Sequence, residues 1–305
     1  MSLGSASRRG FLQATAGMAA APALHSAAPT AKLPTVCFGK YEVSRLVVGT
    51  NPFFGYSHFN NILDKFMREY MTQDRRIEVL RRCEEVGINT WQLHYSDQTI
   101  ADFKRMRAEG GKLNWFLLGE GDMQKNFDLI PQYAKLGPIG IAHHGNRTDE
   151  RFREGRMDVV KDFCKRVRDT GVMVGVSMHN PEVLDYIEDK GWDVDYFMTC
   201  MYRVSRTKEE TRAVFGEAPL GESFFERDPE RMCAKVRQTK KPCLAFKVLG
   251  AGRNVASRET VEAAFRFVFN NIKPTDAAIV GMCPKFKDEP SENAEIVRSI
   301  CGVNS

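Results

Sequence analysis

The stretch Val172-Met173-Val174-Gly175-Val176-Ser177-Met178-His179-Asn180-Pro181 joins a strand-like run to the start of a helix. Residues 172–178 are apolar or small throughout rather than alternating, which predicts a strand covered on both faces. Residues 181–190 carry apolar side chains at helical spacing and stop at Gly191, which predicts an amphipathic helix with a tight exit turn. Such a strand–helix unit is the repeating element of a parallel sheet.

The same unit recurs along the chain, giving eight strand-like runs that alternate with eight helix-like runs. The other strand-like runs are residues 44–50, 88–93, 114–119, 139–142, 194–201, 243–249 and 277–282. The clearest other helical patterns are residues 74–86, 159–169, 229–239 and 259–271. Eight units in about 270 residues predict an α/β fold of the (β/α)8 TIM-barrel type, which typically takes ~250 residues. A doubly wound sheet is the alternative, but it usually has fewer strands and a glycine-rich first turn, which this sequence lacks.

The connections between these runs are unequal in length. Helix-to-strand connections are tight, as at Gly171 and Gly191, whereas the strand-to-helix connections at residues 51–72, 145–156 and 202–227 are long. Long insertions confined to one side place the functional face at the carboxyl ends of the strands.

The connection at residues 145–156 is dense in charge. It contains Arg147, Arg151, Arg153 and Arg156 together with Asp149, Glu150 and Glu154. Most such runs are solvated faces. The sharper alternative is a loop that closes as a lid over an anionic or polyhydroxylated substrate.

Residues 1–31 are predicted to be a twin-arginine signal peptide. Ser7-Arg8-Arg9-Gly10-Phe11-Leu12 matches the export motif, and a weakly apolar run and small residues up to Ala31 follow it. The alternative is a disordered tail with a chance pair of arginines. We therefore expect the twin-arginine export machinery as a partner, a periplasmic or extracellular location, and a single barrel domain at residues 35–305.

The net charge and the cysteine content narrow the classes of partner that the chain is expected to bind. The net charge is +5, and Arg8 and Arg9 account for two of these charges, so the predicted barrel domain carries +3. This excess is too small to predict nucleic acid or an anionic membrane as a partner. The eight cysteines match neither a disulfide framework nor a CxxC metal motif, so we expect free thiols. A small-molecule substrate is the expected partner.

Every histidine after the leader lies just beyond a strand-like run. These histidines are His58, His94, His143, His144 and His179. Since the carboxyl ends of parallel strands meet at one edge of a sheet, the pattern indicates one polar site there.

Four of the titratable residues end four consecutive predicted strands. They are His94, Glu120, His144 and His179. Neighbouring strands are ~4.8 Å apart, so these side chains can converge. Neutral imidazoles and a carboxylate suit Zn²⁺, Mn²⁺ or Fe²⁺, and the first hypothesis is a divalent metal site. The alternative is a polar substrate pocket without metal, and either His143 or His144 is the inward residue.

Three further residues are catalytic candidates. Lys247 lies inside an apolar strand, which indicates an active-site cation or base with a lowered pKa, or else a lysine paired with a neighbouring carboxylate. Tyr202 directly follows the sixth strand as a candidate proton donor or stacking ring, and Tyr95 follows the second. The alternative for both tyrosines is pocket lining.

Four segments resemble the aldo/keto reductases. Residues 38–50 are similar to the opening hairpin and first strand of that family, and residues 87–91 to its second strand. Residues 245–252 are similar to the seventh strand of divergent branches, and Val280-Gly281-Met282 followed by Glu292-Asn293 to the last strand and final helix. In this order and spacing the chain resembles a divergent aldo/keto reductase over nearly all of the predicted barrel domain.

The resemblance implies a (β/α)8 barrel and an Asp–Tyr–Lys–His tetrad acting with NADP(H). Gln92 stands where the Asp is expected and Glu120 where the Lys is expected, while Tyr95 and one of the paired histidines match the Tyr and the His. Without the Asp and the Lys, the means of lowering the pKa of the tyrosine is missing. The resemblance also implies cofactor contacts at Gly250, Gly252, Arg253 and Asn293.

The sequence therefore predicts an exported barrel enzyme acting on a small carbonyl or carbohydrate-derived substrate. Its expected site is rich in His and Glu and binds metal in the first hypothesis, with His144, Lys247, Tyr95 and Tyr202 as catalytic candidates. NADP(H)-dependent reduction through Tyr95 and His144 is the alternative enzyme class. A barrel that binds a ligand without catalysis is the third interpretation.

Overall fold

The computed structural model describes residues 32–302. Two strands, β1 (Thr35–Phe38) and β2 (Tyr41–Ser44), form an antiparallel hairpin. Eight further strands follow: β3 (Leu46–Gly49), β4 (Thr90–His94), β5 (Asn114–Gly119), β6 (Gly140–His143), β7 (Met173–Met178), β8 (Tyr196–Cys200), β9 (Cys243–Phe246) and β10 (Ala277–Gly281). The predicted signal peptide at residues 1–31 lies outside the described residues.

Eleven α-helices accompany the strands within this part of the chain. They are α1 (Asn61–Tyr70), α2 (Gln73–Glu85), α3 (Asp97–Ala108), α4 (Ile130–Ala134), α5 (Gly145–Arg153), α6 (Met157–Arg168), α7 (Pro181–Asp189), α8 (Lys208–Phe215), α9 (Asp228–Gln238), α10 (Arg258–Asn271) and α11 (Glu289–Cys301). Among the described residues, none of the helices is long and apolar enough to cross a membrane.

The eight strands β3–β10 close into a barrel in which each strand pairs in parallel with its neighbours. The prediction of a (β/α)8 TIM barrel is therefore confirmed. Several strands are shorter than predicted, and the strand predicted at residues 243–249 ends at Phe246, because Lys247 has a left-handed backbone with φ +58°. Such a conformation is uncommon for a side-chain-bearing residue and ends the extended run.

The barrel interior is a packed core. Inward side chains such as Val47, Phe116, Met198 and Leu244 fill it, as alternation along each strand requires. The hairpin closes the amino-terminal end, where the Phe38 ring lies 5.2 Å from the Phe116 ring.

The charged segment at residues 145–156 is largely a helix, which favours the interpretation as a solvated face over the loop that closes as a lid. Helix α5 packs against β7 and buries Thr148 and Asp149. Its arginines are held by i,i+3 ion pairs, with Arg147 Nη1 2.9 Å from Glu150 Oε2 and Arg151 Nη1 2.6 Å from Glu154 Oε2. The repeated charge is thus the solvated face of a helix.

Candidate active site at the mouth of the barrel

Strand alternation turns four titratable side chains toward the mouth of the barrel. Trp91 and Leu93 pack outward against the helices, so His94 at the end of β4 faces inward. The same alternation places Glu120, His144 and His179 just after β5, β6 and β7. His143 faces outward instead, with Nδ1 2.8 Å from Thr148 Oγ1 and its ring 5.0 Å from that of Phe163. The inward member of the histidine pair is therefore His144.

His179 forms a dyad with a buried carboxylate. Asp149 Oδ2 accepts hydrogen bonds from the backbone N–H of His179 and from its Nδ1, each at 3.0 Å, while Oδ1 accepts from the backbone N–H of Asn180 at 3.3 Å. A carboxylate accepts from Nδ1 only if that nitrogen carries the proton, so Nε2 retains its lone pair. Among residues 32–302, no side chain hydrogen-bonds this Nε2. The dyad is therefore built to accept a proton at Nε2.

Gly145 makes the dyad possible. A Cβ at this position would lie 2.9 Å from Cε1 of His179 and 2.9 Å from Oγ of Ser177. A glycine at the start of α5 thus allows the helix that carries Asp149 to approach β7.

His94 lies under an aromatic cover. Its ring makes edge contacts with Phe54 and Tyr56, at centroid distances of 5.4 Å and 5.6 Å. Burial lowers the pKa of His94 to about 4, so the imidazole is neutral at pH 7. Its Nδ1 is buried and has no hydrogen-bond partner in the described part of the chain.

His144 and Glu120 lie close together just after β6 and β5. His144 Nε2 lies 3.7 Å from Glu120 Oε1. Burial lowers the pKa of His144 to about 3, with smaller contributions from His179, Arg147 and His94. Burial also raises the pKa of Glu120, partly offset by Arg147. The contact therefore joins a neutral imidazole and a carboxyl group that is easier to protonate than usual.

The metal hypothesis finds no ligand set in this arrangement. Within residues 32–302, no three His, Cys, Asp or Glu side chains are close enough together to hold an ion. His94, Glu120, His144 and His179 share the mouth, but His94 is covered by aromatic rings, and the His–Glu contact among the four is the single pair His144–Glu120 at 3.7 Å. The described residues therefore do not fit a four-ligand metal centre.

Lys247 follows the last residue of β9 and lines the mouth. Alternation would turn it outward after the inward Phe246, but its left-handed backbone, with φ +58°, changes its direction. Its Nζ is buried without a hydrogen-bond partner among the described residues, although the side chain as a whole is partly exposed. Burial lowers the pKa of Lys247, and the carboxylate of Glu222 opposes this shift. A strained backbone at such a place costs of order 1–3 kcal/mol and often marks a functional position.

Glu222, a carboxylate that acts on the pKa of Lys247, is hydrogen-bonded to a histidine instead. Glu222 Oε1 lies 2.6 Å from His58 Nδ1, and His58 Nε2 is 3.1 Å from Asn51 Nδ2. An amide donating to Nε2 leaves the His58 proton on Nδ1, where it bonds Glu222. Burial alone would raise the pKa of Glu222, but the His58 hydrogen bond and the charges of His58, Lys247 and His179 lower it. Glu222 is thus paired with His58 and makes no ion pair with Lys247 within the described residues.

A cavity of about 430 Å³ opens beside Lys247. It runs from the ends of β3, β9 and β10 to helices α1 and α11, and Lys247, Thr50 and Gln92 contribute polar groups to it. Apolar walls with few polar groups are usual for small-molecule sites. A second cavity of about 680 Å³ is lined by Glu120 and His144.

The two tyrosines predicted as catalysts have hydrogen-bonded hydroxyls. Tyr95 Oη accepts from Tyr133 Oη at 3.1 Å, and this hydrogen bond, together with burial, raises the pKa of Tyr95. Tyr202 Oη accepts from Asn254 Nδ2 at 3.1 Å, and burial raises the pKa of Tyr202. Tyr95 lines neither of the two cavities described above. The structure brings Lys247 and the inward histidines to the mouth, but it does not bring Tyr95 against His144.

The turn after β9 is where the family resemblance implies contact with a cofactor. The backbone N–H groups of Gly250, Arg253 and Asn254 are used within the turn, donating to Lys247, Gly250 and Leu249. The Arg253 guanidinium lies 3.7 Å from the Phe224 ring centroid and 5.1 Å from that of Phe59. Only Gly252 and Asn293 of the expected contacts line the cavity. Tyr95, which the family resemblance implies as the acid, lies outside this cavity.

Sequence reasoning missed Asp149 and Glu222. The sequence presents Asp149 as one charge in a solvated run, yet it is 1% exposed. Asp149 falls at helical spacing on the buried face of α5, and this spacing was the signal that sequence reasoning could have used. Glu222 lies 164 residues from His58 in a long connection with no regular pattern, so no sequence signal marked their pairing.

Comparison with known proteins supports the fold. No protein-family model and no curated protein matches this chain. A truncated 3-deoxy-D-arabino-heptulosonate 7-phosphate synthase from Thermotoga maritima is similar in structure, with a TM-score of 0.50, 14% identity, and coverage of 88% of this chain and 91% of that one. A glycerol dehydrogenase from Gluconobacter oxydans has a TM-score of 0.47, 12% identity, and coverage of 87% and 95%. Dihydropteroate synthase from Xanthomonas albilineans has a TM-score of 0.49, 11% identity, and coverage of 89% and 99%. At these identities the likeness shows a TIM-barrel fold and assigns no activity.

Proposed function

We propose that this protein is an exported TIM-barrel enzyme that transfers a proton at a carbon next to the carbonyl of a small, carbohydrate-derived substrate. The observation that carries the proposal is the Asp149–His179 dyad, which leaves the lone pair of Nε2 at the inner mouth of the barrel. A base held in one tautomer by a buried carboxylate is the usual device for removing such a proton.

The carbonyl end of the substrate binds beside Lys247. The His179 ring lies 5.5 Å from the ring of Phe246, which directly precedes Lys247 and lines the same cavity, so the base and the amine flank one residue of the mouth. Removing a proton next to a carbonyl places negative charge on its oxygen, and a cationic group there stabilises that charge. Lys247 is the cationic side chain whose Nζ is buried and unpartnered at this mouth, within residues 32–302.

Glu120 and His144 supply a second protonation site. Because burial raises the pKa of Glu120, its carboxyl group holds a proton more readily than an exposed glutamate does. Two groups that differ in proton affinity across one mouth suit an acid and a base in the same reaction.

Isotope exchange tests this function directly, because it reports proton transfer whatever product is formed. The protein is incubated in D₂O with small hydroxy-aldehydes and hydroxy-ketones, and proton NMR follows deuterium entering the carbon next to the carbonyl. We expect exchange with wild type and a loss of about 10²-fold or more with His179→Gln, because general-base catalysis typically contributes that much. His143→Gln is the matched control, since this buried histidine faces away from the mouth. Equal exchange by wild type and His179→Gln would rule out the proposed base.

NADP(H)-dependent reduction is the second candidate, and the cavity reaching Gly252 and Asn293 is the observation in its favour. Nicotinamide fluorescence on titration with NADPH, compared between wild type and Asn293→Ala, tests it. A saturable signal that Asn293→Ala weakens would favour reduction over proton transfer. No change on titration would remove this candidate.

A further inference from the structure

We infer that Lys247 is a covalent catalyst whose amine condenses with the carbonyl group of the substrate to form an imine. This inference deepens the proposed function and rests on it, since it uses the same mouth and the same carbonyl substrate. It specifies what the amine does there: it bonds to the carbonyl carbon rather than contacting its oxygen as a charge.

The geometry first points to an amine kept free for reaction. Lysine charges that serve structure are paired, as Lys287 at the rim of the same cavity shows, with Nζ 2.6 Å from Glu292 Oε1. Lys247 Nζ has no such partner among the described residues. Glu222, the carboxylate that acts on the pKa of Lys247, is bonded to His58, and the other group that opposes the lowering of this pKa is the thiol of Cys200.

The neighbouring thiol adds no charge to hold the lysine as an ammonium ion. Burial raises the pKa of Cys200 to about 12, so the thiol is neutral at pH 7. Burial likewise lowers the pKa of Lys247, which increases the fraction of neutral amine. An ordinary lysine, with a pKa of about 10.4, has only on the order of one amine in 10³ neutral at pH 7. Desolvation in an apolar pocket is a known way of activating a lysine nucleophile.

The backbone holds the amine in place. Lys247 has φ +58°, and its carbonyl oxygen accepts from the Gly250 N–H at 2.8 Å, which fixes the turn. The side chain therefore starts from a rigid point beside a cavity of about 430 Å³. That volume suits a small aldehyde or ketone.

The chemical step balances without any further reactant. The amine nitrogen attacks the carbonyl carbon, and a C–N bond forms as the C=O π bond breaks. Two protons from the nitrogen then leave with the oxygen as water, and a C=N bond remains. When protonated, this imine draws electrons from the adjacent C–H bond, whose proton the Asp149–His179 dyad accepts at Nε2.

Reductive trapping tests the imine directly. The full-length protein is incubated near pH 7 with glycolaldehyde and sodium cyanoborohydride, whose hydride converts an imine into a stable secondary amine. Intact-mass spectrometry and peptide mapping then locate the label. We expect the first equivalent on Lys247, at a rate at least about tenfold above that of Lys287, since the free amine is the reactive form. Lys287→Met is expected to keep this label, and Lys247→Met to lose it.

Two further variants keep the result interpretable. Lys247→Arg retains a positive charge but forms no imine under these conditions. Lys247→Gly removes the amine and adopts φ +58° without strain, so it folds even if Lys247→Met does not. Thermal unfolding monitored by circular dichroism checks both.

The outcomes separate this inference from the proposed function. Label on Lys247 with deuterium exchange lost in Lys247→Arg supports both. Label on Lys247 with no exchange in wild type supports the imine and counts against proton transfer. Exchange that survives in Lys247→Arg overturns the imine and leaves the function standing. Label spread evenly over surface lysines overturns the imine regardless of exchange.

Discussion

Asp149 Oδ2 accepts two hydrogen bonds from a single residue, the backbone N–H and the Nδ1–H of His179, each at 3.0 Å. The backbone bond fixes the carboxylate on the end of β7, and the side-chain bond fixes the imidazole tautomer. Asp149 is 1% exposed, so water does not compete for these contacts. The position of the base and its tautomer are therefore set by one carboxylate.

Replacing Asp149 by Asn is expected to weaken the base while keeping the side-chain shape. The amide NH2 must face either the backbone N–H of Asn180 or the two donors of His179, so a hydrogen bond of the dyad is lost or the imidazole proton moves to Nε2, and the negative charge beside His179 is removed in both cases. Deuterium exchange should fall by about 10²–10⁴-fold, as for general-base loss and for wrong tautomers in catalytic dyads. NMR of ¹⁵N-histidine-labelled protein reports the tautomer directly. An unchanged His179 spectrum in Asp149→Asn would contradict the assignment.

Acid is expected to destabilise the fold below about pH 6.5 because of three buried histidines. Burial lowers the pKa of His94 to about 4 and the pKa values of His143 and His144 to about 3. Between these values and about 6.5, the unfolded state binds more protons, so the free energy of unfolding falls as the pH falls. From pH 7 to pH 5.5 the loss is about 3–4 kcal/mol, at about 1.4 kcal/mol per pKa unit and group.

Urea denaturation at these two pH values measures the loss. Carboxyl groups with ordinary pKa values remain ionised over this range, so histidines dominate the change. The variant His94→Gln should reduce the loss by about 1 kcal/mol, one histidine's share. A free energy of unfolding that stays flat from pH 7 to pH 5.5 would contradict the burial of these imidazoles.

Removing Asp102 is expected to destabilise the protein by about 3–5 kcal/mol, because it leaves a largely buried guanidinium without its partner. Asp102 is fully buried and accepts from Arg76 Nε at 2.6 Å and from Arg76 Nη2 at 3.0 Å. Thermal and urea unfolding of Asp102→Ala measure the effect. The matched control Glu69→Ala, which breaks an exposed pair with Lys65, should change stability by less than about 1 kcal/mol. Equal effects of the two changes would contradict the buried pair.

Purified protein is expected to carry no stoichiometric Zn, Mn or Fe. The physical reason is the ligand arrangement: within residues 32–302 no three His, Cys, Asp or Glu side chains are close enough to hold one ion, and His144 and Glu120 form only a pair at 3.7 Å. Elemental analysis by plasma mass spectrometry checks this. A retained ion that is lost in His144→Ala and His179→Ala, but kept in His143→Ala, would restore the metal hypothesis.

The fold could be predicted from the sequence because its signals are local. Residues 172–178 show a doubly covered strand by composition alone, and the structure has β7 at Met173–Met178. Eight repeats of that signal leave few topologies other than a closed barrel. The inward histidines followed from the same logic, since each lies where a strand ends.

The chemistry of the mouth depends on contacts that no local pattern encodes. The pairing of His58 with Glu222 joins two long connections, and the direction of Lys247 depends on one backbone angle. The dyad needs helix α5 to approach β7, which a charged run by itself does not indicate. Which titratable groups come into contact is decided by how helices and connections pack together in the folded protein, rather than by residue type.

The hairpin that carries Phe38 has a kinetic consequence. With Phe38 packed on Phe116 and Tyr196, the amino-terminal end of the barrel is sealed. Reactants and products must then enter and leave through the same opening, at the opposite end of the barrel. If a second reactant takes part, whichever molecule occupies the deeper position has to enter first and depart last, so steady-state kinetics should show a compulsory order.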